Sequence, residues 1–275
     1  MCGHVLPQAG GFPQLAAQLD ETNEGFDLDG IAALAAGEKG HFWFESRNEL
    51  IDWLVRRHAA STRRALEIGC GTGFALSALK HALPDARISG AELHSRSLVT
   101  ARERHGNTVE LFQMDARHCQ LSAVLDLVAA FDVLEHVEQD EAVLAEIARA
   151  LVPGGVLIAT VPQHPWMWST ADDVARHCRR YRRGELAHKA RAAGLRPLYQ
   201  SSFTTLAFPL MMAARLVERA RPNKQSLEEL SEYQLNIPPL ANRTLRALAS
   251  IEQALRRLGV PMPFGGSQVM VAQRP

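Results

Sequence analysis

The stretch Arg63-Arg64-Ala65-Leu66-Glu67-Ile68-Gly69-Cys70-Gly71-Thr72-Gly73-Phe74 constrains this chain more than any other. It opens on a short apolar run of the kind that forms a buried parallel strand. Glycines at 69, 71 and 73 follow, and then Phe74, Leu76 and Leu79 recur near helical spacing. The order is strand, tight glycine turn, helix. Glycine accepts positive φ and lets a ligand approach bare backbone, and the free N–H groups opening the helix point at that ligand. A dinucleotide fingerprint, G-x-G-x-x-G/A, would put its last small residue at Phe74, which is too bulky for close helix–strand packing. Glu67, two residues ahead of the first glycine, would repel a pyrophosphate and suits the ammonium end of an amino acid.

The run E-x-G-x-G-x-G resembles the first motif of the class I S-adenosylmethionine-dependent methyltransferases. His41-Phe42-Trp43-Phe44-Glu45-Ser46-Arg47 is similar to an H-F-W-F-x-x-R run in part of that family. His177-Cys178-Arg179-Arg180-Tyr181, followed by Glu185-Leu186, resembles its H-x-R-x-Y run. Leu151-Val152-Pro153-Gly154-Gly155-Val156-Leu157 resembles its turn into the fifth strand. The resemblance covers about residues 41–202 and a last strand at 267–272. It implies S-adenosylmethionine as cofactor and a Rossmann-like methyltransferase fold. It also implies a lid over the cofactor, with Phe44 in the lid and Arg47 facing the cofactor carboxylate.

The rest of the chain is consistent with that fold. Strand patterns at Arg87–Ala91, Val109–Gln113, Leu125–Phe131 and Val156–Val161 alternate with helical patterns, which predicts an α/β protein with a doubly wound, seven-stranded, mostly parallel sheet. Ligands of such sheets sit beyond the carboxyl ends of the strands. Glu67, Glu92, Asp115, Asp132, His136 and Gln163 all fall at such ends. Glu92 lies 25 residues after Glu67, near the roughly 20 expected of an acid that holds a ribose diol. A carboxylate can accept both diol hydrogen bonds. Asp115 could accept from an adenine amino group, or simply cap the next element. With these go Gly69, Cys70, Gly71, Gly73, Leu93, Ala116 and Phe131 as the expected cofactor residues.

Residues 1–60 read as a loose leader and lid helix, 61–202 as the cofactor core, 203–266 as a helical substrate cap, and 267–275 as the final strand. The leader includes a short helix over Leu28–Ala36. The cap carries a capping box at Ser226-Leu227-Glu228-Glu229 and an amphipathic stripe of Leu245, Leu248, Ile251, Leu255 and Leu258. A dimerisation element is the alternative for that insertion.

Methyl transfer from a sulfonium is mainly positioning, and a hydroxyl acceptor also needs a base. Of 11 histidines, His136, His164 and His177 fall where the pocket belongs, and Tyr181 lies beside them. Trp166 and Trp168 offer apolar walls. Arg179 and Arg180 offer guanidinium groups to an anionic acceptor, although a solvated loop face explains them as well. Asp132, Glu135 and His136 resemble a set that some ubiquinone-pathway O-methyltransferases use near a divalent ion. Capping and the helix dipole explain Glu135 and His136 equally, so no metal ligand is assigned.

Lys+Arg and Asp+Glu both number 30, which argues against a nucleic-acid-binding surface. Cys2, Cys70, Cys119 and Cys178 form no C-x-x-C and suggest reduced thiols. No signal peptide is evident, and the apolar window Phe203–Val217, broken by Pro209, is too short to span a bilayer. The expectation is a cytoplasmic methyltransferase of small-molecule biosynthesis, monomer or homodimer, with peripheral membrane contact left open. It would methylate an O, N or C atom of a small anionic or lipid-like acceptor. The alternatives are a nicotinamide-dependent oxidoreductase and a catalytically silent partner protein that binds the same cofactor.

Overall fold

The computed structural model describes residues 6–20, 31–220 and 237–275. The capping box at 226–229 and residues 21–30, with the expected helix start at Leu28, lie outside the described residues. The chain begins with a small hairpin, β1 (Gln8–Ala9) and β2 (Phe12–Pro13), followed by α1 (Ile31–Glu38) and α2 (Phe42–His58). Alternation then sets in with β3 (Arg64–Ile68), α3 (Phe74–Ala82), β4 (Arg87–Glu92), α4 (Ser95–His105), β5 (Glu110–Gln113), β6 (Leu125–Phe131), α5 (Asp140–Ala150) and β7 (Leu151–Pro162). The remainder is α6 (Thr170–Val174), α7 (Glu185–Ala192), β8 (Arg196–Phe203), α8 (Phe208–Ala220), α9 (Pro239–Arg257) and β9 (Ser267–Gln273).

The main sheet has seven strands in the order β5-β4-β3-β6-β7-β9-β8. β3, β4, β5, β6 and β7 are parallel, and β9 runs antiparallel between β7 and β8. The order reverses between β3 and β6, which is where an open α/β sheet forms its binding crevice. β6 carries Leu125-Asp126-Leu127-Val128-Ala129-Ala130-Phe131 and is buried on both faces, as its continuous apolar run requires. Period-two alternation along β9 divides the core. Val269 and Val271 join the layer under α2 and α3, with Leu50, Leu54, Leu76 and Leu79. Met270 and Ala272 join the layer under α5 and α7, with Leu144, Ile147 and Leu186.

Three expectations need correction. The leader is not loose between residues 8 and 20. Phe12 is buried in the core, and Gln113 exchanges hydrogen bonds with Ala16, donating to its carbonyl at 2.8 Å and accepting from its N–H at 3.0 Å. The fifth strand starts earlier than Val156, because the Pro-Gly-Gly stretch lies within β7. The apolar stripe of α9 is not what docks it. Ile251 and Leu258 are exposed, while Glu252 and Arg256 are buried as an ion pair at 2.9 Å. Arg256 also donates to Ser201 Oγ at 2.6 Å and the Ser202 carbonyl at 2.7 Å, so hydrogen bonding to β8 outweighs the hydrophobic pattern. Among the described residues no helix is long and apolar enough to cross a membrane.

Ser95 does not cap α4 itself. Asp20 accepts from the Ser95 N–H at 2.6 Å and from its hydroxyl at 2.8 Å, so the leader supplies the cap. Asp20→Ala should lower stability by about 1 kcal/mol, read from the urea midpoint. An unchanged midpoint would show that α4 does not depend on the leader.

Candidate active site

The carboxyl ends of β3, β4, β6 and β7 meet at one mouth, under α2. Gly69 and Gly71 hold φ of +66° and +50°. They serve different ends. A Cβ on Gly69 would lie 2.4 Å from Cγ2 of Val133, so this glycine lets the loop pack on the segment after β6. A Cβ on Gly71 would meet nothing within 4 Å, so its face of the loop is open. Glu92 accepts from the Gly71 N–H at 2.9 Å and from the Leu93 N–H at 2.7 Å, which ties the loop to the end of β4. Burial raises the Glu92 carboxyl above its usual range, and those two backbone donors oppose it.

Glu67 is buried, and its Oε2 has no hydrogen-bond partner. Burial pushes its pKa up to about 8, against the pull of Arg47. Arg47 itself pairs with Asp132 at 2.7 Å and lies 4.6 Å from the centroid of the Trp43 ring. Phe44 packs edge-on against Phe74 at 6.0 Å, and Asn48 donates to the Phe74 carbonyl at 2.9 Å. The aromatic run therefore does place α2 on the glycine loop. Asp132 adopts φ +56°, a left-handed conformation that Asp tolerates better than most residues. Phe131 is core, directly before it.

Other expected residues fall elsewhere in the mouth. Asp115 caps the 3-10 turn that begins at Ala116, accepting from Arg117 N–H at 2.9 Å and pairing with Arg117 and His118. Its carboxylate oxygens are thus engaged, and the capping reading is the one observed. Cys70 is buried against the sheet. Gln163 is buried and accepts from the Ser202 hydroxyl at 2.8 Å, a structural role.

Tyr181 cannot act on substrate: it is fully buried, donates to Asp140 at 2.7 Å, and burial with that partner holds its proton far above the usual phenol range. Arg179 pairs with Asp140 at 2.9 Å and Arg180 with Asp172 at 2.7 Å. The two arginines anchor the loop after α6 and present no free cationic rim. Trp168 donates to Asp173 at 3.0 Å, whereas Trp166 is half exposed.

His164 stands out at the end of β7. It has φ +67°, and its Nε2 is buried with no hydrogen-bond partner. Its ring lies 5.1 Å from Trp166 and 5.4 Å from Phe208, which adjoins Phe264 at 5.9 Å. Burial and the Arg180 charge lower its pKa, so it is neutral at pH 7. His136, after β6, and His177, after α6, lie together, ring centroids 4.8 Å apart. His177 donates from Nδ1 to Asp172 at 2.9 Å.

One clamp had no sequence signal. Glu38, at the end of α1, accepts from the Thr72 hydroxyl at 2.5 Å and pairs with Arg104 at 2.8 Å. It pins the lid to the glycine loop across residues far apart in the chain.

A glycine loop over a parallel sheet with acids at the ends of β3 and β4 is the architecture of a nucleoside-binding α/β enzyme. Residues 66–159 match the family model described as a methyltransferase domain. Ubiquinone biosynthesis O-methyltransferase of Dechloromonas aromatica is 26% identical over 145 residues, 47% of this chain and 62% of that protein. Trans-aconitate 2-methyltransferase of Azoarcus is 29% identical over 177 residues, 64% of this chain and 63% of that protein. The chain thus spans about three-fifths of the length of the curated relatives it matches. Phosphoethanolamine N-methyltransferase 2 of Haemonchus contortus, in complex with S-adenosylmethionine, shares the fold with a TM-score of 0.60 at 19% identity, covering 94% of this chain and 59% of that one. Residues 66–159 are thus a methyltransferase domain on a Rossmann-like methyltransferase fold, the kind of domain for which S-adenosylmethionine is the cofactor. The mouth fits that molecule: the unpartnered Glu67 oxygen suits its ammonium, and the open side of Gly71 gives it room.

Two predictions follow from this geometry. Alanine at 69 or 71 carries positive-φ strain of about 1–2 kcal/mol. Gly69→Ala should lose a further 1–3 kcal/mol or so through Val133 and be the less stable variant in urea. Gly71→Ala should be the more stable of the two and still bind S-adenosylhomocysteine more weakly than the parent. The second concerns Glu67. Burial pushes its pKa from an ordinary 4.5 up to about 8 in the folded chain, so the stability it contributes is present at low pH and lost as pH rises between those values. The melting temperature of ligand-free Glu67→Gln should exceed that of the parent by a margin that grows from pH 5 to pH 8. A margin independent of pH would mean that Glu67 is not a protonated buried acid.

Proposed function

We propose that this protein transfers a methyl group from S-adenosylmethionine to an O, N or C atom of a small molecule, and that the acceptor is apolar or aromatic. The observation that carries the reading is the pairing of Glu67, a buried acid with an unpartnered oxygen, with the open glycine loop at Gly71. When bound, the cofactor supplies a methyl group already activated on sulfur. The chain's own work is to bind, orient and exclude water. In this reading Glu67 receives the ammonium, Glu92 the ribose hydroxyls, and α2 with Trp43 and Phe44 closes over them. Arg47, held by Asp132, lies within reach of the cofactor carboxylate only after it exchanges partners.

The acceptor's wall is the cluster of His164, Trp166, Phe208 and Phe264. This reading replaces the arginine-bound anion, because Arg179 and Arg180 are committed to Asp140 and Asp172. His164 is the base: neutral, with an unpartnered Nε2, at a strained backbone position of the kind that concentrates in active sites. The described residues between 203 and 266 form a cap joined to the lid, since Asn242 accepts from Phe42 N–H at 2.8 Å and donates to the Gly40 carbonyl at 2.8 Å. Free thiols at Cys70, Cys119 and Cys178 support a cytoplasmic setting.

Calorimetric titration with S-adenosylhomocysteine and with NAD separates this reading from a nicotinamide-dependent oxidoreductase. Turnover on a panel of phenols, hydroxy acids and amines separates it from a silent cofactor-binding partner. His164→Gln should lower kcat on a hydroxyl acceptor by about 10²–10⁴-fold and leave S-adenosylhomocysteine affinity unchanged. Full activity in that variant would remove His164 from the mechanism.

A further inference from the structure

We infer that α9 is a docking surface for an anionic lipid bilayer. Leu240, Ile251 and Leu258 are 77%, 52% and 81% exposed. Ala247 and Ala254, between them, are exposed as well. At about 100° per residue these five positions fall within an arc of about 80°, one stripe running about 27 Å along the helix. Glu252, Gln253 and Arg256 are buried on other sides of the helix, and Arg256 bonds to Ser201 and Ser202 of β8. The helix is therefore docked by its polar positions and leaves an apolar stripe in water. Single exposed apolar residues are ordinary, but a continuous stripe marks an interaction site.

Charge selects the occupant. By the same periodicity Arg243, Arg246 and Arg257 lie along one flank of the stripe. Arg243 and Arg257 are exposed, and Arg246 is half-buried with Glu49 at 3.0 Å. The one acid of α9, Glu252, is buried, pairs with Arg256 at 2.9 Å and accepts from the Leu206 N–H at 3.1 Å. A second copy of this helix thus has no exposed acid to set against the arginines, whereas lipid phosphates match all of them. An apolar stripe with a cationic flank is the pattern of a helix that lies in the plane of a membrane interface. The neighbouring α8 has the same character. Its Leu210 and Val217, two turns apart on one face, are exposed, and Arg215 is the only charged residue from 208 to 217. Phe264, just beyond α9, is also exposed and stands 5.9 Å from Phe208 of the acceptor wall. An acceptor dissolved in the bilayer would enter beside the docked helix; that step rests on the acceptor site proposed above, and the docking does not.

The test uses the full-length protein and unilamellar vesicles, either phosphatidylcholine alone or phosphatidylcholine and phosphatidylglycerol in equal parts, with the bound fraction read by flotation. The parent should bind the mixed vesicles about tenfold or more tightly than the neutral ones, and less tightly as salt screens the arginines. Leu240→Ser, Ile251→Ser and Leu258→Ser together should abolish binding. Arg243→Gln with Arg257→Gln should weaken it by about 25-fold, roughly fivefold for each charge removed. All five residues are exposed, so the melting temperature should not move. S-adenosylhomocysteine affinity is measured separately, so failure of the cofactor reading leaves this test intact. A parent that does not bind the mixed vesicles overturns the inference, as does equal binding by the triple serine variant. Sedimentation without vesicles reads the rival occupant. A parent dimer that the serine substitutions dissolve, with no vesicle binding, assigns the stripe to a second copy and overturns the inference too.

Discussion

A single guanidinium answers most of the negative charge at the mouth of this sheet. Arg47 pairs directly with Asp132, and its field reaches both Glu67 and Glu135, where it opposes the effect of burial. Glu92 adds another half-buried acid beside the glycine loop. Arg47, helped by Arg180 at Glu135, faces four acids, so the mouth is short of positive charge. Burial lets it persist by favouring the protonated forms of Glu67, Glu92 and Glu135. Such a site is prepared for cationic ligands, because Glu67 Oε2 and both Glu135 oxygens have no hydrogen-bond partner.

The scaffold that maintains this state is built of contacts distant in sequence. α2 brings Arg47 over the mouth because Leu50, Ile51, Leu54 and Val55 are buried on its inner face. Glu38 fixes α1 to Thr72 and Arg104, and Asn242 fixes α9 to the start of α2. Lid, glycine loop and cap are thus linked by side-chain hydrogen bonds. These polar contacts are each of modest net strength, about 1 kcal/mol, and the buried inner face of α2 adds to them.

The parallel core was legible because burial on both faces writes itself locally. Leu125–Phe131 reads as an apolar run and is β6, and the alternating glycines read as a turn and are one. The acids at Glu67 and Glu92 were legible for the same reason, since the end of a strand is a local position. What was not legible depends on partners. The arginine run at 179–183 reads as an anion site until Asp140 and Asp172 are seen beside it. Tyr181 reads as a catalytic phenol until its hydroxyl is seen on Asp140 in the core. α9 reads as an apolar stripe, but the pair Glu252 and Arg256 faces inward because β8 offers it Ser201 and Ser202. The convergence of Glu135 with His177 spans 42 positions and leaves no periodic trace.

The central claim is that Glu67 keeps a proton until a cationic cofactor displaces it. Calorimetry of S-adenosylmethionine binding at pH 7, in buffers of different ionisation enthalpy, measures that exchange directly. The account predicts proton release on binding, because a carboxyl with a pKa near 8 must ionise to meet the ammonium, and it predicts loss of that release in Glu67→Gln with weaker binding. Binding without proton release, and with equal affinity in Glu67→Gln, would contradict it.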